Sequence, residues 1–362
     1  MSDVDPNLPD SDFRENRLDE IRRQASELGS VSAAGIRPAG SPMPLASPQT
    51  GYYQQPLLKE PQWTPLIPLY FFVGGASGSL GVIGSLADLL GADHELARKA
   101  RHMATAGSIV SSVLLIADLG RPSRFVNMLR VFKPQSVMSV GSWVLSGFAA
   151  SAAASTLADI LDARTDNTQT DSSLISTFLR TVGRTGCTVF GMPFHNYTGV
   201  LIGSSVIPVW NNRIKSLPRE FGMSGLQSAV GLLELAGETD SNALNAVGLI
   251  AAAFETWEGL ELLRTQDREL APTKHGFTGA LVQTAGILSG PVPIALRLAS
   301  LFTRKKKRRL RQAAAISGIV GSLCLRYGWV AAGTISSRDW KTPLSIPDRD
   351  EMKPSAELAA RN

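Results

Sequence analysis

Glu255, Glu258 and Glu261 recur every third residue inside an otherwise apolar stretch, Ser241–Leu263. On a helix that spacing drifts slowly round one face, so the three carboxylates form a single polar stripe. Arg326 is their natural counterion. It sits in the middle of another apolar run, Cys324-Leu325-Arg326-Tyr327-Gly328-Trp329. A charged group in such surroundings faces the interior and needs a partner. An ion pair of Arg326 with Glu255 or Glu258 is therefore expected, as a structural clasp or as part of a proton route. Asp88, Asp118, Glu234 and Glu238 close other apolar runs, and Arg297 lies within one. Charges at the ends of such runs can equally be solvated at an interface.

Redox metals find little to hold them. The chain has 2 Cys and 4 His, whereas iron–sulfur and structural zinc sites take about four ligands. Cys187 and Cys324 both lie in apolar stretches, which also argues against a disulfide framework. His195 is alone in its stretch, so bonding within a helix bundle is expected of it rather than haem ligation. No metal ligand set is expected. The Gly-rich stretch Phe72–Gly81 lacks the Gly-Lys-Ser/Thr ending of a phosphate loop. Its glycines fit close helix packing instead.

The elements that must carry these residues are apolar runs separated by charged links. A bilayer core of about 30 Å takes about 20 apolar residues as helix. Eight runs qualify as predicted spans: Leu66–Leu90, His102–Asp118, Val137–Leu161, Cys187–Trp210, Leu217–Leu235, Ser241–Leu263, Gly276–Leu301 and Ala313–Ile335. Ser289-Gly290-Pro291-Val292-Pro293 should break the seventh. A large soluble helical protein is the bland alternative, but so many runs exceed the needs of one soluble core. Residues 1–62 are polar and rich in Pro, Ser and Gly, and read as a largely disordered tail; residues 341–362 form a second polar tail. Met1–Asp12 is acidic, without the basic start and apolar core of a signal peptide. Phe13–Leu28 is a predicted amphipathic segment. Lys and Arg in the links are nearly balanced between the two sides. The run Arg304–Arg309 with Arg311 decides the orientation, because a dense basic link is hard to translocate and is drawn to anionic cytoplasmic lipid. It is placed inside, with both termini outside. Its position between two spans argues against nucleic acid as its partner.

The most specific segment is Asp118-Leu119-Gly120-Arg121-Pro122-Ser123-Arg124-Phe125, followed by Met138-Ser139-Val140-Gly141-Ser142-Trp143. It resembles the membrane subunits of the polysulfide reductase, or NrfD-like, family. That family shows an Asp-Leu-Gly-Arg-Pro-x-Arg-Phe loop and a Pro-Met-Ser-x-Gly-x-Trp helix start; here Val137 stands where Pro is usual. Weaker matches are Trp63–Gly78, Tyr197–Leu201 with Ile207–Trp210, and Leu325-Arg326-Tyr327. The resemblance covers residues 63–340.

It implies an all-α integral membrane protein, with eight transmembrane helices in two four-helix bundles, in the bacterial inner membrane. It implies a quinone (menaquinone or ubiquinone) as cofactor, no haem or metal in the chain, an iron–sulfur ferredoxin-like partner subunit and a catalytic redox subunit. The expected quinone site lies at the outer end of the first bundle, with Tyr70, Gly74, Gly75, Ser139 and Trp143 as its lining. Gly74 and Gly75 would open a flat slot, and free N–H groups at the helix start by Ser139 would favour a quinone carbonyl. Asp118 would take protons and Arg121 would keep it ionised. Glu255 and Glu258 would continue the proton path, with Arg326 paired to them. Two other functions compete: a proton-coupled secondary transporter, and a passive membrane anchor for peripheral redox subunits.

Overall fold

Helices account for most of the described residues, and their ends are set by local chemistry. The computed structural model describes residues 19–20, 23–24, 58–91, 93–165, 174–339 and 342–344. Residues 1–51 and 52–362 fall into separate units. Most of both predicted tails, and most of the predicted Phe13–Leu28 segment, lie outside the described residues. Within that segment Asp19, Glu20, Arg23 and Gln24 are helical, with Arg23 and Gln24 donating to Glu20 at 2.8 and 3.1 Å.

In the larger unit the helices are α1 (Leu66–Leu89), α2 (His94–Asp118), the short α3 (Arg124–Leu129), α4 (Val137–Thr165), α5 (Leu174–Gly203), the short α6 (Pro208–Asn211), α7 (Leu217–Leu235), α8 (Asn242–Arg264), the short α9 (Ala271–Lys274), α10 (Gly276–Ser289), α11 (Pro291–Phe302) and α12 (Lys307–Arg338). Asp93 caps α2 by accepting from the Glu95 N–H at 2.9 Å, and Ser241 caps α8 through Leu244 N at 3.2 Å. Such caps satisfy N–H groups that the first helical turn leaves free. The Asp93 cap carries α2 two turns further back than the apolar run predicts, through Glu95, Arg98, Lys99 and Arg101. α12 likewise starts in the basic run, at Lys307. The fourth predicted span is displaced: α5 begins at Leu174 and ends at Gly203 instead of running from Cys187 to Trp210. Pro208, which lacks an N–H, starts the separate helix α6. The predicted break falls at Gly290 (φ −102°, ψ −97°), between α10 and α11.

Among the described residues, five segments are long and apolar enough to cross a membrane: Leu66–Leu89, His94–Asp118, Val137–Arg164, Gly276–Phe302 and Lys307–Arg338. α1 is the central element, packed on α2, α5, α7 and α12, while α7 also meets α8 and α12. Small residues make these approaches possible. A Cβ on Gly225 of α7 would lie 2.9 Å from the Gly75 backbone, and one on Gly78 would lie 2.8 Å from His195 N. Backbones this close exchange dispersion contacts that no larger residue would permit.

Candidate functional site

Two sets of helix ends are defined by the bonds between them. At one face, the segment leading into α1 ties together the end of α2 and the end of α12. Thr64 N and Oγ1 donate to Asp118 Oδ1 at 3.1 and 2.6 Å. Arg338 donates to Glu60 at 2.6 and 3.2 Å, and Tyr327 Oη to Pro65 O at 2.9 Å. Trp63 stacks on Trp210, with centroids 5.4 Å apart. Gly120, at φ +65°, lets the chain leave α2 in a left-handed turn that a side chain would resist. The start of α4 lies at this same end. Ser139 Oγ accepts from Lys133 N at 3.1 Å and donates to Val131 O at 3.4 Å, and Trp143, 41% exposed, meets Phe132 edge-on.

The residues expected to line a quinone slot divide into two groups. Asp118, Ser139 and Trp143 occupy this face. Tyr70, Gly74 and Gly75 are packing residues: Tyr70 is 2% exposed, a Cβ on Gly74 would lie 3.1 Å from the Phe194 ring, and one on Gly75 would lie 3.4 Å from both Arg326 Nη2 and His195 O. The expected slot at the two glycines is thus filled by α5 and α7. Arg121 is exposed and makes no ion pair among the described residues. Thr64, not Arg121, is the partner of Asp118. His195 packs on Gly222, where a Cβ would come within 3.0 Å of Nε2.

Glu255 and Glu258 of α8 are gathered deeper, beside α7 and α10, whereas the Glu261 side chain is 43% exposed. Glu258 accepts from Arg213 Nη2 at 2.9 Å and lies 3.3 Å from Arg219 Nη2. Glu255 Oε2 accepts from Ser289 Oγ at 2.9 Å. Glu220, which the sequence reading passed over, accepts from Trp329 Nε1 at 3.3 Å, and Trp329 O accepts from Trp210 Nε1 at 2.7 Å. The expected direct pair of Arg326 with Glu255 or Glu258 does not form. Arg326, fully buried, donates to Ser224 Oγ and to Phe221 O (2.7 Å), and stacks over the Phe221 ring at 4.5 Å. The reason is reach and competition: Arg213 and Arg219 already hold Glu258, while Ser224 and the Phe221 carbonyl lie on the neighbouring helix α7. Glu220 Oε2 and Glu255 Oε1 have no hydrogen-bond partner among the described residues. Beside them lies a cavity of about 200 Å³.

Against known families, the model of polysulphide reductase, NrfD, matches residues 57–255, more than half of the chain. The chain belongs to the NrfD family. It is a multi-pass membrane protein of a family whose members are membrane subunits of redox complexes, working with other redox subunits. No curated protein matches the chain. The NrfD match takes in the Asp118 corner, the start of α4, Glu220 and Glu255, whereas Glu258, Arg326 and the α10–α12 walls lie beyond it.

The opposite ends of the NrfD helices are held by charge. Arg101 donates to Asp159 through Nε and Nη2, both at 2.9 Å, and also to Asp88, which accepts from Arg184 Nε at 3.0 Å. α1, α2, α4 and α5 are thereby tied at one end. Lys99 reaches Glu238 at 2.6 Å, and Arg311 donates to Thr239 O and Ser241 O at 2.6 and 2.8 Å. Asp88 and Glu238, expected as span-end charges, are thus both paired, and the sequence signal for it is the basic cluster Arg98-Lys99-Arg101 one turn into α2.

Proposed function

We propose that this chain is the quinol/quinone-interacting integral membrane subunit of a respiratory oxidoreductase, exchanging electrons with an iron–sulfur partner subunit that serves a catalytic redox subunit. The observation that carries the reading is NrfD-family membership over the half containing the Asp118–Phe125 loop. The geometry of one face supports it. Trp143 and Phe132 offer a half-exposed aromatic surface, Asp118 is a carboxylate at the adjacent helix end, and exposed Arg121 and Lys133 provide cations for a docked protein. Menaquinone or ubiquinone would supply two-electron, two-proton chemistry here, and the buried acids Glu220, Glu255 and Glu258 would carry protons inward. In this reading the chain holds no haem or metal, and the purified chain shows no Soret band.

The architecture that goes with this function is eight spans in two four-helix bundles: α1, α2, α4 and α5, then α7, α8, α10 with α11, and α12. It sits in the bacterial inner membrane with both termini periplasmic. Three of these helices fall short of membrane-crossing hydropathy. They carry Arg180 and Arg184 on α5, Glu220 and Glu234 on α7, and Glu255 and Glu258 on α8. The carboxylates of α7 and α8 are buried, and buried charges lower an average hydropathy without exposing the helix to lipid, which supports counting these two as spans. On α5, where Arg180 and Arg184 are partly exposed near its start, the mid-helix His195 and Asn196 lower it in the same way. A proton-coupled transporter is the second reading, favoured by the helix break at Gly290 beside the Glu255–Ser289 bond. The test is quinol-linked turnover of the assembled complex with Trp143→Ala. Weakened binding of quinone-like inhibitors is expected. Unchanged binding and turnover, in Trp143→Ala and Asp118→Asn alike, would remove the quinone from this face.

A further inference from the structure

The cavity beside Glu220 and Glu255 is built differently from the rest of the helix packing. Helical glycines elsewhere in the bundle are mostly pressed against a neighbour. Gly259 of α8 and Gly286 of α10 both line this cavity, and a Cβ on either would meet nothing within 4 Å. Between them the two helices leave an opening instead of a contact. Its rim carries Leu260, Leu263 and Ile287, which line the cavity and are about half exposed on the outside of the helices, 46%, 53% and 56%. In a membrane that outside is lipid, so the cavity communicates with the acyl-chain region.

Its inner end is polar. Glu220 and Glu255 are 5% and 3% exposed, and each presents one oxygen without a partner. A buried carboxylate oxygen left unpaired is costly, and a ligand O–H removes that cost. The volume suits one substituted ring: a cavity of about 150 Å³ holds benzene, and this one measures about 200 Å³.

We propose that this cavity is a second ligand site, distinct from the Asp118–Trp143 face, that takes the hydroxylated aromatic head of a lipid-soluble quinol from the bilayer. The ring lies between Gly259 and Gly286, its hydroxyls donate to Glu220 Oε2 and Glu255 Oε1, and its tail leaves past Leu260, Leu263 and Ile287. The ligand class rests on the quinone reading above; the cavity does not.

The test is equilibrium binding of a short-chain hydroquinone, and of its dimethyl ether, to the full chain in lipid nanodiscs. The native chain should bind two equivalents of hydroquinone. The ether, which has no O–H to donate, should bind the second site at least about tenfold more weakly. Gly286→Leu and Gly259→Leu should each remove one equivalent. Both substitutions favour helix and fill open space, so both variants should keep the native unfolding temperature. Trp143→Ala should weaken the other equivalent. Two equivalents retained in both folded glycine variants, or an ether that binds as well as the hydroquinone, would overturn the site. A single equivalent, lost with Trp143→Ala alone, would overturn it and leave the proposed function standing. No hydroquinone bound at all would overturn both. Should one leucine variant fail to fold, the other and the ether comparison in the native chain still decide.

Discussion

Arg297 and Glu234 face each other across α11 and α7 through two parallel hydrogen bonds of 2.7 and 2.8 Å, and both side chains are fully buried. The forked geometry matches guanidinium to carboxylate, which a lysine could not reproduce. α8 makes room for it: a Cβ on Gly248 would lie 2.4 Å from Arg297 Cζ. Removing one partner leaves a buried charge unpaired. Glu234→Gln or Arg297→Met should cost about 3–5 kcal/mol, by analogy with soluble proteins. The double variant Glu234→Leu with Arg297→Met should recover much of that loss. Unfolding of the detergent-solubilised chain measures it, and native stability in both single variants would refute the pair as a structural clasp.

Asp88 makes a second prediction about charge. Its carboxylate, 3% exposed, accepts from Arg101 and Arg184 together, while Arg101 also grips Asp159. A carboxylate so fully engaged holds helices; it is poorly placed to relay protons. Asp88→Asn should lower the yield of assembled, stable protein while leaving quinol-linked turnover per assembled complex near native. Slowed turnover in a fully assembled Asp88→Asn complex would place Asp88 on a proton path instead.

These two sites show what the sequence made legible. Apolar runs located the helices well, because length and composition are local properties. Helix ends were misplaced where polar residues continue a helix, as in α2, or where a proline starts a new one, as at Pro208. The Asp118 loop was legible as a motif, and Gly120 as its turn. The filling of Gly74 and Gly75 was not, since a glycine that opens a slot and one that admits a neighbouring helix look the same in sequence. Partner choice was equally hidden. Arg326, Glu255 and Glu258 are interior groups, as their place within apolar runs implies, while the side chain of Glu261, at the end of its run, is 43% exposed. But Arg213 and Arg219 lie far along the chain from Glu258, and only the packing of α7 on α8 brings them to it. Glu220 escaped notice because, following Pro218-Arg219 at a helix start, it resembles an ordinary first-turn acid.

The orientation of the chain is open to direct labelling. Arg304–Arg309 begins the link into α12, and Lys307 lies 3.5 Å from the exposed Asp240 of the α7–α8 link, so these two links share one face. Single cysteines at Lys305 and Asp240 should be inaccessible to a membrane-impermeant maleimide in intact cells and should label after permeabilisation. A cysteine at Arg121, on the opposite face, should label in intact cells. The reverse pattern would invert the topology and place the Asp118–Trp143 face, where the quinone is proposed, in the cytoplasm.

Asp118 separates chemistry from architecture most cleanly. One oxygen, Oδ1, takes both bonds from Thr64. Asparagine keeps a carbonyl oxygen at that position, so Asp118→Asn can preserve the tie between α1 and α2 while removing the charge and the ability to take a proton. Alanine removes both. Thr64→Ala removes the hydroxyl bond alone and leaves the carboxylate. If Asp118 only braces the corner, turnover in Asp118→Asn should follow Thr64→Ala, and both should resemble the native complex once assembled. If it takes protons from a quinol, Asp118→Asn should assemble and unfold like the native chain yet turn over slowly, whereas Thr64→Ala keeps activity. Asp118→Ala should add a stability loss of about 0.5–2 kcal/mol, the scale of a lost helix cap. Turnover of the purified complex with a soluble quinol, set beside the unfolding temperature of each variant, distinguishes the outcomes. Native turnover in Asp118→Asn would leave this carboxylate a corner post and move the proton-accepting role to another group.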